Sequence, residues 1–327
     1  MGRALLTGIT GQDGLYLGEF LAAKGYEVFG LVSRLDDAKR AAVGAVIPSA
    51  QLIEGDLTDP TTLTAALETA EPDEVYNLGG ISFVGGSWEN AGQVAEITGK
   101  GALNVLDATR RWAGDDLGRV RVLQASSADM FGAAEVSPQT ETTPFAPRSP
   151  YAVAKIFGHY MTMTYRETHG MHASSAILYN HESPRRGEQF VTRKITRAVA
   201  RISLGLDESV ALGDLESKRD WGFAGDYVNA MWLMLQQDAP GDYVIATGVA
   251  HTVREFVTAA FTAVGIDDWS SLVTQDARFM RPVAVNRLLG DASKARDTLG
   301  WTPTVAFEEL VAMMVENDLA EQRALLG

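Results

Sequence analysis

The chain has 327 residues, 46% of them hydrophobic and 21% charged, with a formal net charge of −14 and no cysteine. That length holds one large α/β domain or two intimate ones, and the missing cysteines exclude disulfides, thiolate catalysis and cysteine-bound metal while remaining compatible with a reducing cytoplasm. The acidic balance argues against nonspecific nucleic-acid binding, no apolar run approaches the roughly 18 residues of a membrane span, and the five histidines show no metal-site spacing.

Ala4–Thr7 reads as a short buried strand, so early that no signal peptide is expected, and Tyr16–Lys24 as a helix. Strands follow at Glu27–Val32 and Gln51–Glu54, then a helix at Thr61–Thr69 with Asp59-Pro60 as its start signal. Glu74–Leu78, Val120–Ala125 and Ala173–Tyr179 continue the strand series, with helices near 91–113 and 150–169 between them. This alternation predicts an α/β fold: a Rossmann-like, doubly wound parallel sheet with helices on both faces. After Tyr179 the rhythm breaks into basic, glycine-punctuated segments. A helix at Val228–Gln236 and a strand at Tyr243–Ala246 return to the sheet, and 252–265 and 305–322 belong to a smaller C-terminal α/β cap. The expected division is a dinucleotide-binding domain over 1–180, rejoined by 220–248, and a substrate-binding domain from 181–219 and 249–327, with the ligand cleft between them.

Strand one runs into Gly8-Ile9-Thr10-Gly11-Gln12-Asp13-Gly14, a GxxGxxG turn ahead of a helix. Gly8, Thr10, Gly11, Gln12, Asp13 and Gly14 are therefore expected to cradle a dinucleotide pyrophosphate at the helix N-terminus; a purely structural turn is the alternative. Strand two ends Leu31-Val32-Ser33-Arg34, with a guanidinium where NAD binders place a carboxylate, so NADP is favoured although Asp36 and Asp37 are close. Asp56 and Leu57 are expected along the adenine edge, and Leu78 at the end of the fourth strand also falls to the cofactor. An anionic ligand is repelled at long range by this chain and needs a local basic pocket. Arg185, Arg186, Arg193, Lys194, Arg197 and Arg201 offer one, unless they are a solvated helix face.

Ser149-Pro150 opens a helix in which Tyr151 and Lys155 stand four apart on one face. A phenol is a poor base at neutral pH, and a nearby ammonium favours phenolate. Lys155 is expected to do this while bonding the nicotinamide ribose. Ser127, at the preceding strand end, is expected to share the substrate hydroxyl with Tyr151. The alternative is a surface tyrosine beside an unrelated lysine.

These features are those of extended short-chain dehydrogenases acting on nucleotide sugars, and several stretches are more particular. GITGQDG at Gly8–Gly14, PRSPYAVAK at Pro147–Lys155, NHESPRRG at Asn180–Gly187, FVTRKI at Phe190–Ile195 and RDWG at Arg219–Gly222 resemble the GDP-mannose 4,6-dehydratase family, as does LGDASKARDTLGWTP at Leu289–Pro303. The resemblance runs from end to end, more weakly near 35–50 and 255–280. It implies NADP and a GDP-sugar: Asn180, Val191, Lys194, Arg219 and Arg281 on the nucleotide sugar, Ser82 on the hexose, and His181 and Arg186 close to the cofactor or phosphate. It also implies hydride removal at the sugar C4, water elimination across C5 and C6, and hydride return to C6.

Departures from the family pattern fall in the catalytic region. Where the family has Ser-Thr-Ser-Glu, this chain has Ser126-Ser127-Ala128-Asp129, so Asp129 is the candidate C5 base with a stem one methylene shorter. Gln-Ser-His becomes Ile81-Ser82-Phe83, and a glutamate after Arg-Pro becomes Ala284. The arginine pair after strand two is reduced to Arg34-Leu35 in a shortened loop, which favours a homodimer over the family's tetramer, with helices 91–113 and 150–169 pairing across a two-fold axis. The main alternative function is an NADP-dependent nucleotide-sugar 4-epimerase without elimination. A reductase and a non-catalytic NADP-binding protein are more distant alternatives.

Overall fold

Strand alternation sends Leu5 and Leu6 to opposite faces, and each face has its own core. The structure, a computed structural model, describes residues 2–279 and 288–326. Its strands are β1 (Arg3–Thr7), β2 (Glu27–Val32), β3 (Gln51–Glu54), β4 (Glu74–Asn77), β5 (Arg121–Ser127), β6 (His172–Leu178), β7 (Asn180–Glu182), β8 (Val210–Leu212), β9 (Lys218–Phe223), β10 (Asp242–Ile245), β11 (Ala250–Thr252) and β12 (Val273–Gln275). Seven form one parallel sheet in the order β10-β6-β5-β4-β1-β2-β3. The chain winds outward from β1 through β2 to β3, then crosses back to β4 on the other side. The switch point between β1 and β4 is where doubly wound sheets bind ligands.

The helices are α1 (Gln12–Ala23), α2 (Asp37–Val46), α3 (Pro60–Ala70), α4 (Ala91–Val94), α5 (Gly101–Ala113), α6 (Pro150–His169), α7 (Val191–Ser203), α8 (Ala224–Leu235), α9 (Val253–Thr262), α10 (Ser293–Leu299) and α11 (Phe307–Leu326). Leu17 and Leu21 of α1 pack with Met231 and Met234 of α8 on one face. Leu67 of α3, Leu106 of α5 and Tyr165 of α6 cover the other. The remaining short strands pair as β11-β9-β7 and β12-β8. Beside them α7, α9 and α11 enclose a third core around Ile195, Phe256 and Met314.

Helix α6 has the bounds its caps predict: the Ser149 hydroxyl accepts from Ala152 N at 3.1 Å, and Gly170 closes the helix at φ 70°. The helix expected near 91–113 is interrupted, because Ala95–Lys100 makes a π-helical turn between α4 and α5. Helix α2 was not anticipated. It buries just Val43, and Asp36 caps it through Lys39 N at 2.9 Å.

The tail docks onto α8 through one carboxylate. Asp226 accepts from Thr304 N at 2.8 Å and Thr304 Oγ1 at 2.6 Å, while the Trp301 indole donates to the Asp226 carbonyl at 2.8 Å. Replacing Asp226 by Ala removes the acceptor of the part-buried Thr304 N–H and hydroxyl, so unfolding in urea is expected to show a loss of about 1 kcal/mol with an unchanged m-value.

Candidate active site

Strand β1 leads directly into the turn ahead of α1. Gly8 has φ 72°, the left-handed region that side chains disfavour. A Cβ there would lie 2.9 Å from the nitrogen of Gly79, just past β4, and one on Gly14 would run into the Gly8 carbonyl and Ile9. Gly11 is exposed and donates its N–H to the Gly8 carbonyl at 3.0 Å. No side chain caps α1 at Gly11, so its first-turn N–H groups and dipole remain available to an anion. This cradle fits a dinucleotide pyrophosphate, with Thr10 exposed on its rim.

Gln12 and Asp13 turn instead toward the segment leaving the sheet. Gln12 Nε2 donates to the His181 carbonyl at 3.1 Å, and Ser183 Oγ donates to Gln12 Oε1 at 2.8 Å. The His181 ring, stacked on Tyr227 at 4.6 Å, has Nε2 2.9 Å from Asp13 Oδ2 and Nδ1 2.7 Å from the Tyr179 carbonyl. Both nitrogens face acceptors, so both donate and the ring is an imidazolium. Burial works against both charges, but their attraction and hydrogen bond outweigh it, holding Asp13 at about 2 and raising His181.

At the end of β5 the chain enters a tight turn, Ala128–Met130, in which Asp129 N donates to Ser127 Oγ at 3.2 Å. Tyr151 of α6 is buried over this turn. Burial pushes its phenol well above the ordinary value and the Asp129 charge adds to that, whereas a hydrogen bond with Ser127 and the Arg186 charge pull it down. Lys155 Nζ lies 5.8 Å from the Tyr151 ring centre and donates to the Ala125 carbonyl at 2.7 Å. Burial depresses Lys155 to about 8, against the pull of Asp13. The expected lowering of the phenol by the ammonium is outweighed by the protein's own apolar surroundings. Ile81 and Val84 pack against the cluster of Tyr151, Val94 and Ala154, so the resting phenol keeps its proton.

Arg34 is exposed at the end of β2. The neighbouring carboxylates are engaged locally: Asp36 caps α2, and Glu54 accepts from Leu35 N at 2.7 Å. Asp56 accepts from Thr58 N and Oγ1, both at 2.8 Å, while Leu57 Cδ1 would be 2.8 Å from a Cβ on Gly79. Leu78, half-buried, follows β4 beside that glycine. Arg186 places Nε 3.1 Å from buried Glu182 and its guanidinium 3.5 Å over Phe190, which meets Phe83 edge-on at 6.0 Å. Glu182, missed in the sequence, also accepts from Thr192 Oγ1 at 2.6 Å; its one signal was the four-residue spacing to Arg186.

Ser82 is exposed beside Phe83, Asn180 opens β7, and Val191 is exposed at the start of α7. Lys194 Nζ lies 3.4 Å over the Phe279 ring and donates to the Ala211 carbonyl at 2.7 Å, while Arg219 is buried in β9. Arg281 and Ala284 lie outside the described residues. Most of the basic run is committed to ion pairs within the molecule rather than to solvent. Arg185 pairs with Glu19 at 2.7 Å, Arg193 with Asp318 at 2.7 Å, Arg197 with Glu188, and Arg201 with Asp207 at 2.6 Å.

A dinucleotide cradle at the switch point and a serine, tyrosine and lysine meeting over β5 are the marks of an extended short-chain dehydrogenase. The family model described as GDP-mannose 4,6 dehydratase matches residues 5–314. GDP-mannose 4,6 dehydratase 1 of Arabidopsis thaliana is 50% identical over 324 residues, covering 97% of this chain and 89% of the relative. The Homo sapiens GDP-mannose 4,6 dehydratase is 45% identical over 344 residues, covering 98% and 92%. Among solved structures, DesIV of Streptomyces venezuelae, a dTDP-glucose 4,6-dehydratase with NAD and TYD bound, superposes with a TM-score of 0.84 at 26% identity, covering 99% of this chain and 98% of that one. The chain belongs to the GDP-mannose 4,6-dehydratase family, as its motifs implied.

The Asp13–His181 pair gives the fold a pH signature. Its contribution is complete between the ordinary values of 3.8 and 6.5, and is lost as pH rises through the elevated imidazole pKa or falls through the aspartate's value of about 2. Replacing Asp13 by Asn is therefore expected to lower the melting temperature more at about pH 5 than at about pH 9. Equal losses at both pH values would count against the pairing.

Proposed function

We infer that this protein is a hydro-lyase converting GDP-mannose to GDP-4-keto-6-deoxymannose. The observation that carries the reading is Asp129, a half-buried carboxylate near enough to Tyr151 for its charge to act on the phenol. Elimination needs a base at the sugar C5; epimerisation at C4 has no use for one. With the end-to-end family match, this leaves the 4-epimerase alternative unfavoured.

A nicotinamide dinucleotide is the cofactor, held by Gly8, Thr10, Gly11, Gly14, Asp56, Leu57, Leu78, Tyr151, Lys155 and Arg186, with the backbone N–H groups of Gln12 and Asp13 at its pyrophosphate and His181 fixing Asp13 behind the turn. NADP is the form we propose, because exposed Arg34 follows β2 while Asp36 and Glu54 are bonded to local backbone. When bound, it supplies a reversible hydride acceptor. Tyr151, in the phenolate form that the Ser127 hydrogen bond and the Arg186 charge favour, takes the proton of the sugar 4-hydroxyl, with Ser127 sharing that hydroxyl and Lys155 fixing the ribose. The resulting 4-ketone acidifies C5; Asp129 removes that proton, the C6 hydroxyl leaves as water with the proton that Tyr151 gained, and Asp129 returns its proton to C5 as C6 is reduced. Because the hydride returns to C6, no net oxidation occurs.

Residues 1–180 with 220–248 form the cofactor half in this reading, and 181–219 with 249–327 the nucleotide-sugar half. Ser82, Asn180, Val191, Lys194, Arg219 and Arg281 hold the GDP-sugar. We also propose a homodimer rather than a tetramer. Val153, Phe157 and Tyr160 follow one face of α6 and are 56%, 43% and 51% exposed, an apolar stripe suited to pairing with a second copy beside helix 91–113. Among the described residues no helix is long and apolar enough to cross a membrane, and a cytoplasmic setting is part of the proposal.

Incubation with GDP-mannose and catalytic NADP, followed by mass spectrometry, is expected to show loss of one water with the cofactor still oxidised. Replacing Asp129 by Asn should cut dehydration by about 100-fold or more while leaving NADP binding intact. Undiminished dehydration in that variant would remove Asp129 from the mechanism, and an unchanged sugar mass with the native protein would return the choice to epimerisation.

A further inference from the structure

Central strands of a parallel sheet are buried on both faces and favour apolar side chains. Three adjacent strands here break that pattern at one level. Strand register sets Thr7 of β1 beside Asn77 of β4, and Asn77 beside Gln124 of β5. All three are at least 97% buried. Their hydrogen bonds run in one direction. Gly79 N donates to Thr7 Oγ1 at 2.9 Å, Thr7 Oγ1 to Asn77 Oδ1 at 2.7 Å, Asn77 Nδ2 to Gln124 Oε1 at 2.7 Å, and Gln124 Nε2 to the Ala125 carbonyl at 3.0 Å. The Ala125 carbonyl is also the acceptor for Lys155 Nζ, at 2.7 Å. Helix α6 crosses close above, since a Cβ on Gly158 would lie 3.8 Å from Gln124 Nε2.

The chain of dipoles therefore begins at Gly79, where the glycine turn approaches β4, and ends at the carbonyl under the lysine. Aligned hydrogen bonds polarise one another, and buried polar groups are kept where every partner is satisfied. We propose that Gln124, backed by Asn77 and Thr7, is a positioning residue that fixes the Ala125 carbonyl and through it the ammonium of Lys155. This rests on the reading of Lys155 as the residue that holds the nicotinamide ribose. The titratable groups facing that ammonium are Asp13 from the glycine turn and Tyr151 from the preceding helical turn. Gln124 acts on it from the sheet below. A purely structural polar plug between strands would stabilise the fold without setting the state of the lysine.

The test compares Gln124→Glu and Gln124→Met with the native full-length protein. Lysine 13Cε shifts are followed against pH, with the Lys155 signal assigned by its loss in Lys155→Arg, and NADP affinity is measured by calorimetry. Native Lys155 is expected to titrate at about 8. Gln124→Glu puts a carboxylate beside the shared carbonyl and should raise that midpoint by about one pH unit, while Gln124→Met should weaken NADP binding about tenfold. A native midpoint and native affinity in both variants overturn the proposal, even if their melting temperatures fall. Should neither variant fold, Asn77→Asp breaks the same chain one strand away, and an unmoved Lys155 midpoint there is equally fatal. Neither readout requires sugar turnover, so a failure to dehydrate GDP-mannose leaves this test intact.

Discussion

The seat of α6 on the sheet is the contact from which the rest of the site takes its geometry. A helix carrying a catalytic phenol is useful when its height above the strand ends is fixed to within a fraction of an ångström. Three polar contacts spread along α6 fix it: Lys155 on the Ala125 carbonyl, His159 on Ser126 at 3.1 Å, and Arg166 on Asp242 at 2.7 and 3.0 Å. Small residues let the neighbouring helix approach closely, with a Cβ on Gly158 only 3.0 Å from the Ala102 side chain. Once α6 is placed, Tyr151 falls over Ser127 and the turn bearing Asp129, and no loop has to find its own position.

That arrangement puts a phenol and a carboxylate in one small apolar volume. Burial and the Asp129 charge make ionisation of Tyr151 less favourable, so the resting centre holds a protonated tyrosine. Ile81 strengthens this by adding apolar surface where the family pattern has an amide. Arg186 works in the opposite direction, and buried Glu182 holds it there. Ile81 and Arg186 thus act in opposite directions on the Tyr151 phenol.

The sheet was legible because its strands are continuous apolar runs separated by helices, and the limits of β2, β3 and α6 agree with the sequence reading to the residue. Helix α2 was not, since it is a surface helix with one buried side chain. Nor was the π-helical turn, which alters hydrogen bonding without altering composition. At the site, the glycines and the Tyr151–Lys155 spacing could be read because backbone clearance and helical pitch impose them. The partners of Arg193 and Arg201 could not, since Asp318 is more than 100 residues away and Asp207 lies in a loop with no pattern of its own. Asn77 and Gln124 stood in plain view as polar residues within buried strands, but their meaning depends on strand register.

The pairing of four arginines in the basic run with carboxylates has a kinetic consequence. A protein of net charge −14 that has neutralised much of its cationic surface internally offers an anionic nucleotide no long-range attraction. Encounter is opposed until the ligand comes within a Debye length, about 8 Å at physiological ionic strength, of exposed Arg34 and the open N-terminus of α1. Added salt screens that repulsion, so association should quicken with moderate ionic strength, the reverse of the slowing seen in electrostatically steered enzymes. Capture would then be governed by the short-range fit of the cleft rather than by the field of the whole molecule.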